Sequence, residues 1–292
     1  MNVIRARVLG FCMGVRRAVD LAYAQTGRAY TLGPLIHNPR VLEDLKCRGV
    51  ETFDESTLPE NLDNVSVIIR AHGVSPQTEA DLRHRGATVV DATCPKVKES
   101  QLKAAALAKA GYRLFLAGEE FHAEITGIRS YAGPACYAVA GSAAEAERIA
   151  AKLHGEDPGA RTALIGQTTI SAEEYQAIAG AIARFFPNLE ITQTICAATR
   201  ERQSSLRELL DKVDAVVIAG GKESANTRHL LAIAEASGKP CAFVETDADI
   251  PPAFFCFETV GLAAGASTPD STIDAIENVL SGGACQPSNT IK

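Results

Sequence analysis

The sequence predicts an α/β fold made of three small α/β units. Short apolar runs alternate along the 292 residues with segments of amphipathic helical pattern, and strands that alternate with helices form parallel sheets covered by helices. The loops that follow the strands come in three pairs, which indicates an internal triplication. Ligands of such folds bind at the carboxyl ends of the strands, so these loops are where a site is expected.

Six strands and four helices carry this pattern. The predicted strands are the apolar, β-branched runs 65–70, 87–91, 112–117, 161–166, 214–219 and 259–263, and the predicted helices are 96–109, 172–185, 227–237 and 271–280. The paired loops are 71–74 with 92–95, 118–124 with 167–169, and 220–226 with 265–269. They divide the chain into a first unit, 1–95, a second unit, 96–194, and a third unit, 195–281, followed by a flexible tail, 282–292.

Composition and charge limit the classes of protein that this chain can be. It has 29 Lys and Arg against 35 Asp and Glu, a formal charge of −6, and 46% hydrophobic residues, a soluble and globular balance. An acidic surface argues against coating nucleic acid or an anionic membrane. No run approaches the ~18 apolar residues of a membrane helix. The N-terminus lacks the pattern of a signal peptide, so we expect a cytoplasmic protein.

Three of the eight cysteines share one kind of predicted position, the turn from a strand into a helix; for Cys12 the predicted strand is the apolar run 8–11. Each of Cys12, Cys94 and Cys196 precedes a segment of helical pattern, those after Cys12 and Cys196 being additional to the four helices above, and a helix N-terminus favours the thiolate form. Thiolates suit soft metal centres, and these three are too far apart for a zinc knuckle. They fit a 4Fe-4S cluster in which one iron has no protein ligand and is an open Lewis-acid site. The alternative is that all eight cysteines are buried and inert.

Polar side chains occupy the ends of the predicted loops. They are His37, His72, His122, Ser224, Asn226 and Ser267. Taken singly, such a histidine is more often a surface or core residue than a ligand. Together with helix N-termini and small-residue loops they would bind an anion such as phosphate or diphosphate. Glu124 is the carboxyl in this set, and a carboxyl beside a bound alcohol is a natural general acid.

Eight motifs, in order, resemble those of the LytB-type iron–sulfur enzymes, the 4-hydroxy-3-methylbut-2-enyl diphosphate reductase family. The motifs are GFCMGVRRAV (10–19), HNP (37–39), AHGV (71–74), DATCP (91–95), QTT (167–169), TICAATRERQ (194–203), GKESANT (221–227) and AGASTPD (264–270). The resemblance runs from residue 5 to about residue 280, nearly the whole chain. It implies a pseudo-threefold trefoil of three α/β units around a central iron–sulfur cluster.

The resemblance also implies roles for the candidate residues. Cys12, Cys94 and Cys196 would hold one 4Fe-4S cluster with an open iron site, and Glu124 and Thr168 would position and protonate the substrate hydroxyl. His37, His72, His122, Ser224, Asn226 and Ser267 would bind the diphosphate. The implied reaction is reductive dehydroxylation of 4-hydroxy-3-methylbut-2-enyl diphosphate to isopentenyl and dimethylallyl diphosphate. This is the last step of the non-mevalonate isoprenoid pathway, with ferredoxin or flavodoxin as electron donor.

Two positions depart from the family pattern. Ala225 stands where the family often has a second serine, and Phe121 begins Phe-His-Ala-Glu where the family usually has Gly-His-Pro-Glu. The chemical residues are kept at both places, so we expect altered affinity and retained activity. Three alternatives stay open: a related enzyme that reduces another phosphorylated allylic alcohol, a non-catalytic iron–sulfur sensor, and a dehydratase that needs no added electrons.

Overall fold

The structure, a computed structural model, describes residues 1–283, and most of the predicted tail lies outside this range. In chain order its strands and α-helices are β1 (Asn2–Arg5), α1 (Met13–Tyr23), β2 (Ala29–Leu32), α2 (Pro39–Cys47), β3 (Val50–Phe53), β4 (Ser66–Ile69), α3 (Pro76–His84), β5 (Thr88–Asp91), α4 (Pro95–Lys109), β6 (Arg113–Ala117), α5 (Ala123–Ala132), β7 (Cys136–Ala140), α6 (Ala143–Glu156), β8 (Thr162–Gly166), α7 (Ala172–Ala183), β9 (Glu190–Ile191), α8 (Ala197–Leu210), β10 (Ala215–Ala219), α9 (Ala225–Ala236), β11 (Cys241–Val244), β12 (Thr259–Ala264) and α10 (Asp270–Gly282). Within this range none of the helices has both the length and the apolar character that crossing a bilayer requires.

The strands form three parallel sheets of four strands each. Their orders are β3-β2-β4-β5, β7-β6-β8-β9 and β1-β12-β10-β11, and every strand pair is parallel. Parallel neighbours need a crossover connection, and most of these are made by the interleaved helices. The predicted α/β class with three parallel sheets is therefore confirmed.

The chain divides into two compact units. The central unit consists of Gly14–Ile36 and Leu42–Cys196 and contains the sheets β3-β2-β4-β5 and β7-β6-β8-β9. The terminal unit consists of Met1–Met13, His37–Val41 and the chain from Ala197 onwards, and it contains the third sheet.

The N-terminal strand, which was not predicted, pairs with a strand from the C-terminal part of the chain. The first unit was expected to span 1–95, but β1 pairs with β12, with Asn2 opposite Thr259. Val3 packs against one apolar cluster of the terminal unit and Ile4 against another. A strand that is apolar on both faces is stable in a sheet covered on both sides, and β1 occupies such a position as the edge strand beside β12.

The central strands are buried on both faces, which explains why their sequences are continuous apolar runs. In β6, Phe115 belongs to the apolar cluster on one face of the sheet, and Leu114 and Leu116 belong to the cluster on the other. In β10, Val217 and Ile218 likewise belong to different clusters. Because successive side chains of a strand point to opposite faces, these runs fix the strands, and the loops after them are placed at one edge of each sheet.

Tyr175 fastens α7 to the β8–β9 region. The side chain is 1% exposed, and its hydroxyl lies 3.1 Å from the carbonyl oxygen of Leu164 and 2.7 Å from that of Thr192. Replacing Tyr175 by phenylalanine keeps the ring but removes the hydroxyl donor to the carbonyl of Thr192 and leaves the carbonyl of Leu164 with only the N–H of Thr192, so we expect the free energy of unfolding to fall by about 1–3 kcal/mol. Urea unfolding measures this change.

Tyr137→Phe is the matched control for this prediction. Its hydroxyl lies 3.0 Å from a carboxylate oxygen of Glu156 in an exposed hydrogen bond. An exposed bond exchanges easily with water, so the control should change the stability by less than about 0.5 kcal/mol. Equal effects of the two substitutions would contradict the anchoring role of Tyr175.

Candidate active site

Glu124 is a buried carboxyl in the first turn of α5, in the central unit. It is 2% exposed, and its N–H donates to Nδ1 of His122, the N-cap residue of this helix, at 3.2 Å. Burial raises the pKa of Glu124 to about 7, although hydrogen bonds from Thr168 act in the opposite direction. A carboxyl with this pKa can hold a proton near neutral pH and can also release it, as a general acid must.

Thr168 holds both oxygens of this carboxyl. Its N–H donates to Oε1 of Glu124 at 2.6 Å, and its hydroxyl donates to Oε2 at 2.9 Å. The contact follows from the sheet, because β6 precedes the loop of Glu124, β8 precedes Thr168, and the two strands are parallel neighbours. Their carboxyl ends meet at one edge, so residues far apart in sequence are brought into contact.

Two of the three predicted cysteine ligands also lie in the central unit. The N–H of Cys196 donates to the carbonyl of Thr168 at 3.0 Å, and that of Cys94 donates to the carbonyl of Ala71 at 2.9 Å. Cys94 is the N-cap residue of α4, and Cys196 directly precedes α8. The pKa of the exposed Lys96 is raised, mainly by its hydrogen bond with Glu99 and further by Cys196 and Cys94, which indicates that both cysteines lie near this one ammonium.

His72 and His122 form a pair in the same unit. Their ring centroids are 5.3 Å apart and the rings are nearly perpendicular, at 87°. Because Nδ1 of His122 accepts the N–H of Glu124, the neutral ring carries its proton on Nε2. His122 can therefore offer an N–H to an anion while it caps the helix that carries the acid.

In the terminal unit two of the predicted anion-binding residues, His37 and Ser267, lie next to each other. The hydroxyl of Ser267 donates to this carbonyl oxygen at 3.3 Å. A Cβ on Gly221 would lie 2.3 Å from the same oxygen, so the loop that leads to α9 can approach His37 only with glycine at this position. His37 and Ser267 are thus neighbours within this unit.

The remaining two predicted anion-binding residues lie at the start of α9. Ser224 is its N-cap residue and accepts the N–H of Thr227 at 3.4 Å. Ser224 and Asn226 are buried, and Nδ2 of Asn226 has no hydrogen-bond partner among residues 1–283. A buried donor at a helix N-terminus is suited to an anionic oxygen. Ala225, which replaces a frequent serine of the family, is also buried here.

Cys12 lies in the terminal unit directly before α1, but a strand does not lead into it as the apolar run 8–11 suggested. β1 already ends at Arg5, and the chain turns at Gly10, whose φ is +77°. The carbonyl of Gly10 accepts a hydrogen bond from the guanidinium of Arg202 at 2.6 Å. The N–H of Cys12 then donates to the carbonyl of Ala266 at 3.2 Å, which places Cys12 beside the loop of Ser267.

The sequence analysis missed two residues that shape the site. A Cβ on Gly14 would lie 2.4 Å from Sγ of Cys94, so this glycine keeps the space beside the thiol free. Gln167 is buried, accepts the N–H of Glu119 at 3.0 Å and donates to the hydroxyl of Thr169 at 2.9 Å. Both residues lie within the quoted motifs, which is the signal that could have identified them.

The donor atoms present fit an iron–sulfur cluster. Cys12, Cys94 and Cys196 are reduced and partly exposed, and thiolates are the usual protein ligands of such clusters. Each cysteine precedes a helix, whose N-terminal N–H groups favour negative charge. Gly14 leaves room at the sulfur of Cys94.

These observations define a parallel α/β protein with a buried acid and with cysteines and polar donors at helix starts, and comparison with known proteins agrees. The profile of the LytB protein family matches residues 3–281. The chain belongs to the LytB family, as the motifs suggested.

Named relatives and solved structures extend this match over almost the full length. Proteins from Treponema denticola and Desulfovibrio desulfuricans, both named 4-hydroxy-3-methylbut-2-enyl diphosphate reductase, are 42% and 44% identical, with 96% of this chain and 99% of each relative covered. The E-1-hydroxy-2-methyl-but-2-enyl-4-diphosphate reductase of Plasmodium falciparum has a similar structure, with a TM-score of 0.88 at 25% identity, covering 96% of this chain and 88% of that one. A second solved reductase, described as the terminal enzyme of the non-mevalonate pathway, has a TM-score of 0.70 at 35% identity, covering 96% and 99% of the two chains.

Proposed function

We propose that this protein is a 4-hydroxy-3-methylbut-2-enyl diphosphate reductase, which forms isopentenyl and dimethylallyl diphosphate. The main support is the buried carboxyl of Glu124, which accepts hydrogen bonds from Thr168 at both of its oxygens. The carbonyl of Thr168 in turn accepts the N–H of Cys196. The reaction breaks one allylic C–O bond. Two electrons and two protons are consumed, one proton leaving with the hydroxyl as water and the other bonding to carbon.

Cys12, Cys94 and Cys196 would hold a 4Fe-4S cluster in this proposal. The cluster would supply electrons one at a time and, at an iron without a protein ligand, a Lewis acid for the substrate oxygen. Small electron carriers such as ferredoxin or flavodoxin would deliver the electrons, and the cytoplasm would be the compartment. The predicted trefoil arrangement belongs to the same proposal.

Glu124 and Thr168 would deliver the proton to the leaving oxygen. With a pKa of about 7, a large share of Glu124 is protonated at neutral pH. When Oε2 carries the proton, it can donate to the hydroxyl oxygen of Thr168, and the hydrogen of that hydroxyl is then available to the substrate. The threonine would thus orient the substrate hydroxyl and pass the proton onward, while burial keeps water from competing.

His37, His72, His122, Ser224, Asn226 and Ser267 would bind the diphosphate. The support within each unit is chemical: His122 offers an Nε2–H donor, and the start of α9 offers the buried amide of Asn226 beside the Ser224 cap. Fixing the charged end of a small substrate holds its reacting carbon and oxygen in one geometry, which is a large part of catalysis.

Anaerobic turnover with reduced viologen and 4-hydroxy-3-methylbut-2-enyl diphosphate tests this proposal. We expect mass spectrometry to detect five-carbon diphosphates that lack the hydroxyl, formed only when the donor is present and absent for Cys94→Ser. Product without added electrons would identify a dehydratase. An intact cluster with diphosphate binding but no product would favour another phosphorylated allylic alcohol, and no binding at all would favour a sensor.

A further inference from the structure

Gln101 is a buried polar residue in the middle of α4 to which nothing above assigns a role. It is 0% exposed, and neither Nε2 nor Oε1 has a hydrogen-bond partner among residues 1–283. Burying an amide without partners costs free energy, and an apolar side chain of the same shape would avoid that cost. A glutamine at this position therefore needs an explanation other than packing.

The amide lies against two glycines, one in the loop of His72 and one in the helix that His122 caps. A Cβ on Gly73, the residue after His72, would lie 2.4 Å from Nε2 of Gln101, and a Cβ on Gly127, in α5, would lie 3.0 Å from the same atom. Gly73 also has a φ of +74°. The Gln101 side chain is thus wedged between the loop of His72 and the helix that His122 caps.

The carbonyl of His72 is a backbone acceptor close to Gly127. This oxygen and Nε2 of Gln101 both lie within 3.5 Å of the position that a Cβ of Gly127 would take. The absence of a side chain at Gly127 leaves the space between them open. A small movement of the His72 loop toward α5 would let the amide donate to this carbonyl.

We propose that Gln101 is a positioning residue for the histidine pair and donates to the carbonyl of His72 when diphosphate is bound. The inference rests on the proposed function, because it takes His72 and His122 as diphosphate ligands. In the free protein the buried amide of Gln101 has no hydrogen-bond partner, which costs free energy, and in the complex it gains one. Binding of the anion and closure of the His72 loop are therefore coupled. The rings, 5.3 Å apart in the free protein, would then be held at the spacing that the anion requires.

Gln101→Met in the holoenzyme tests this role, because methionine has nearly the same shape and no amide. We expect an equal or higher melting temperature, since an unpartnered polar group is removed. KM for the substrate and Kd for inorganic diphosphate, measured by calorimetry, should each rise about tenfold, while kcat stays within about twofold. A purely structural role would instead change the stability and leave the affinity untouched.

Thr162→Val is the matched control. Thr162 is a second buried residue of the central unit whose hydroxyl lacks a partner among the described residues, but it opens β8, at the opposite end of this strand from the loop of Thr168. We expect its replacement to leave KM and the Kd for diphosphate unchanged. A rise equal to that of Gln101→Met would overturn the proposal.

A double-mutant cycle gives a second test that does not depend on a single variant. Gly127→Ala places a methyl group between the amide and the His72 carbonyl and should raise the Kd for diphosphate, whereas adding it to Gln101→Ala should raise Kd by much less. Additive effects, or an unchanged Kd in Gln101→Met, would overturn the role of Gln101. If the affinity differences appear but the wild-type protein makes no product, the reductase assignment fails and the role of Gln101 stands.

Discussion

Glu124→Gln is expected to lower turnover by about 10²- to 10⁴-fold while the protein keeps its iron and sulfide. The amide keeps the shape of the side chain, accepts the N–H of Thr168 at its oxygen and can donate to the threonine hydroxyl. What the glutamine lacks is an acidic proton that it can transfer to the leaving oxygen. Anaerobic kinetics together with iron and sulfide analysis of the same sample measure both parts of this expectation.

The control for this substitution is Glu145→Gln. Glu145 also lies in the first turn of a helix of the central unit, but its carboxylate is exposed and accepts the N–H of Gly141 at 2.9 Å. It should leave turnover unchanged. Normal turnover of Glu124→Gln would remove Glu124 from the mechanism, and loss of its iron would mean that Glu124 acts through structure.

The raised pKa of Glu124 also predicts how stability depends on pH. An acid whose pKa is higher in the folded than in the unfolded protein stabilises the fold fully below its ordinary pKa, near 4.5, and this contribution is lost as the pH rises through about 7. Between pH 4.5 and 8 the wild type should therefore lose up to about 3 kcal/mol relative to Glu124→Gln. Urea unfolding of the two proteins at several pH values measures the difference, and parallel curves would contradict the buried, neutral acid.

Serine in place of Cys94 or Cys196 is expected to remove most of the iron and sulfide and to lower turnover at least ~100-fold, since even residues that only support a metal ligand affect metal affinity 10- to 100-fold. Serine preserves the backbone N–H groups that bond to Ala71 and Thr168, so the fold should persist. Circular dichroism checks this, and anaerobic iron and sulfide analysis measures the loss. We expect the same result for Cys12.

Cys136 and Cys47 supply the controls. Burial raises the pKa of the Cys136 thiol, which disfavours the thiolate that a metal requires, and Cys47 is the exposed last residue of α2. Cys136→Ser and Cys47→Ser should keep iron, sulfide and activity. Full cluster content in Cys94→Ser or Cys196→Ser would overturn the proposed ligand set.

Most of the strands that the sequence predicted are buried on both faces, although the predicted β5 has an exposed residue and the fully buried β2 was not predicted. The runs 112–117 and 214–219 differ by one residue from β6 and β10, because such strands are continuously apolar. The strands β1, β2, β3, β7, β9 and β11 lie outside the predicted runs. Short strands such as Val50–Phe53, with two exposed residues out of four, carry too little pattern to be told from a loop.

The sequence likewise predicted only part of the candidate site. Contact between Glu124 and Thr168 follows from two loops at the carboxyl ends of neighbouring strands, so an α/β pattern was enough to place them together. Gln101 could not be found in this way, because a glutamine in a helix next to charged residues is typical of a solvent-exposed face. Only the close approach of Gly73 and Gly127 reveals it, and such approaches depend on tertiary packing.

The pairing of β1 with β12 has a consequence for the order of events during protein synthesis. All residues of the central unit, including Cys94 and Cys196, emerge before Thr259, the partner of Asn2. The first strand must therefore wait unpaired until almost the whole chain has been translated, whereas the central unit can fold earlier. Cys12, a few residues after that strand, would be the last of the three cysteines to reach its native surroundings, so maturation of the proposed metal centre is expected to follow translation rather than accompany it.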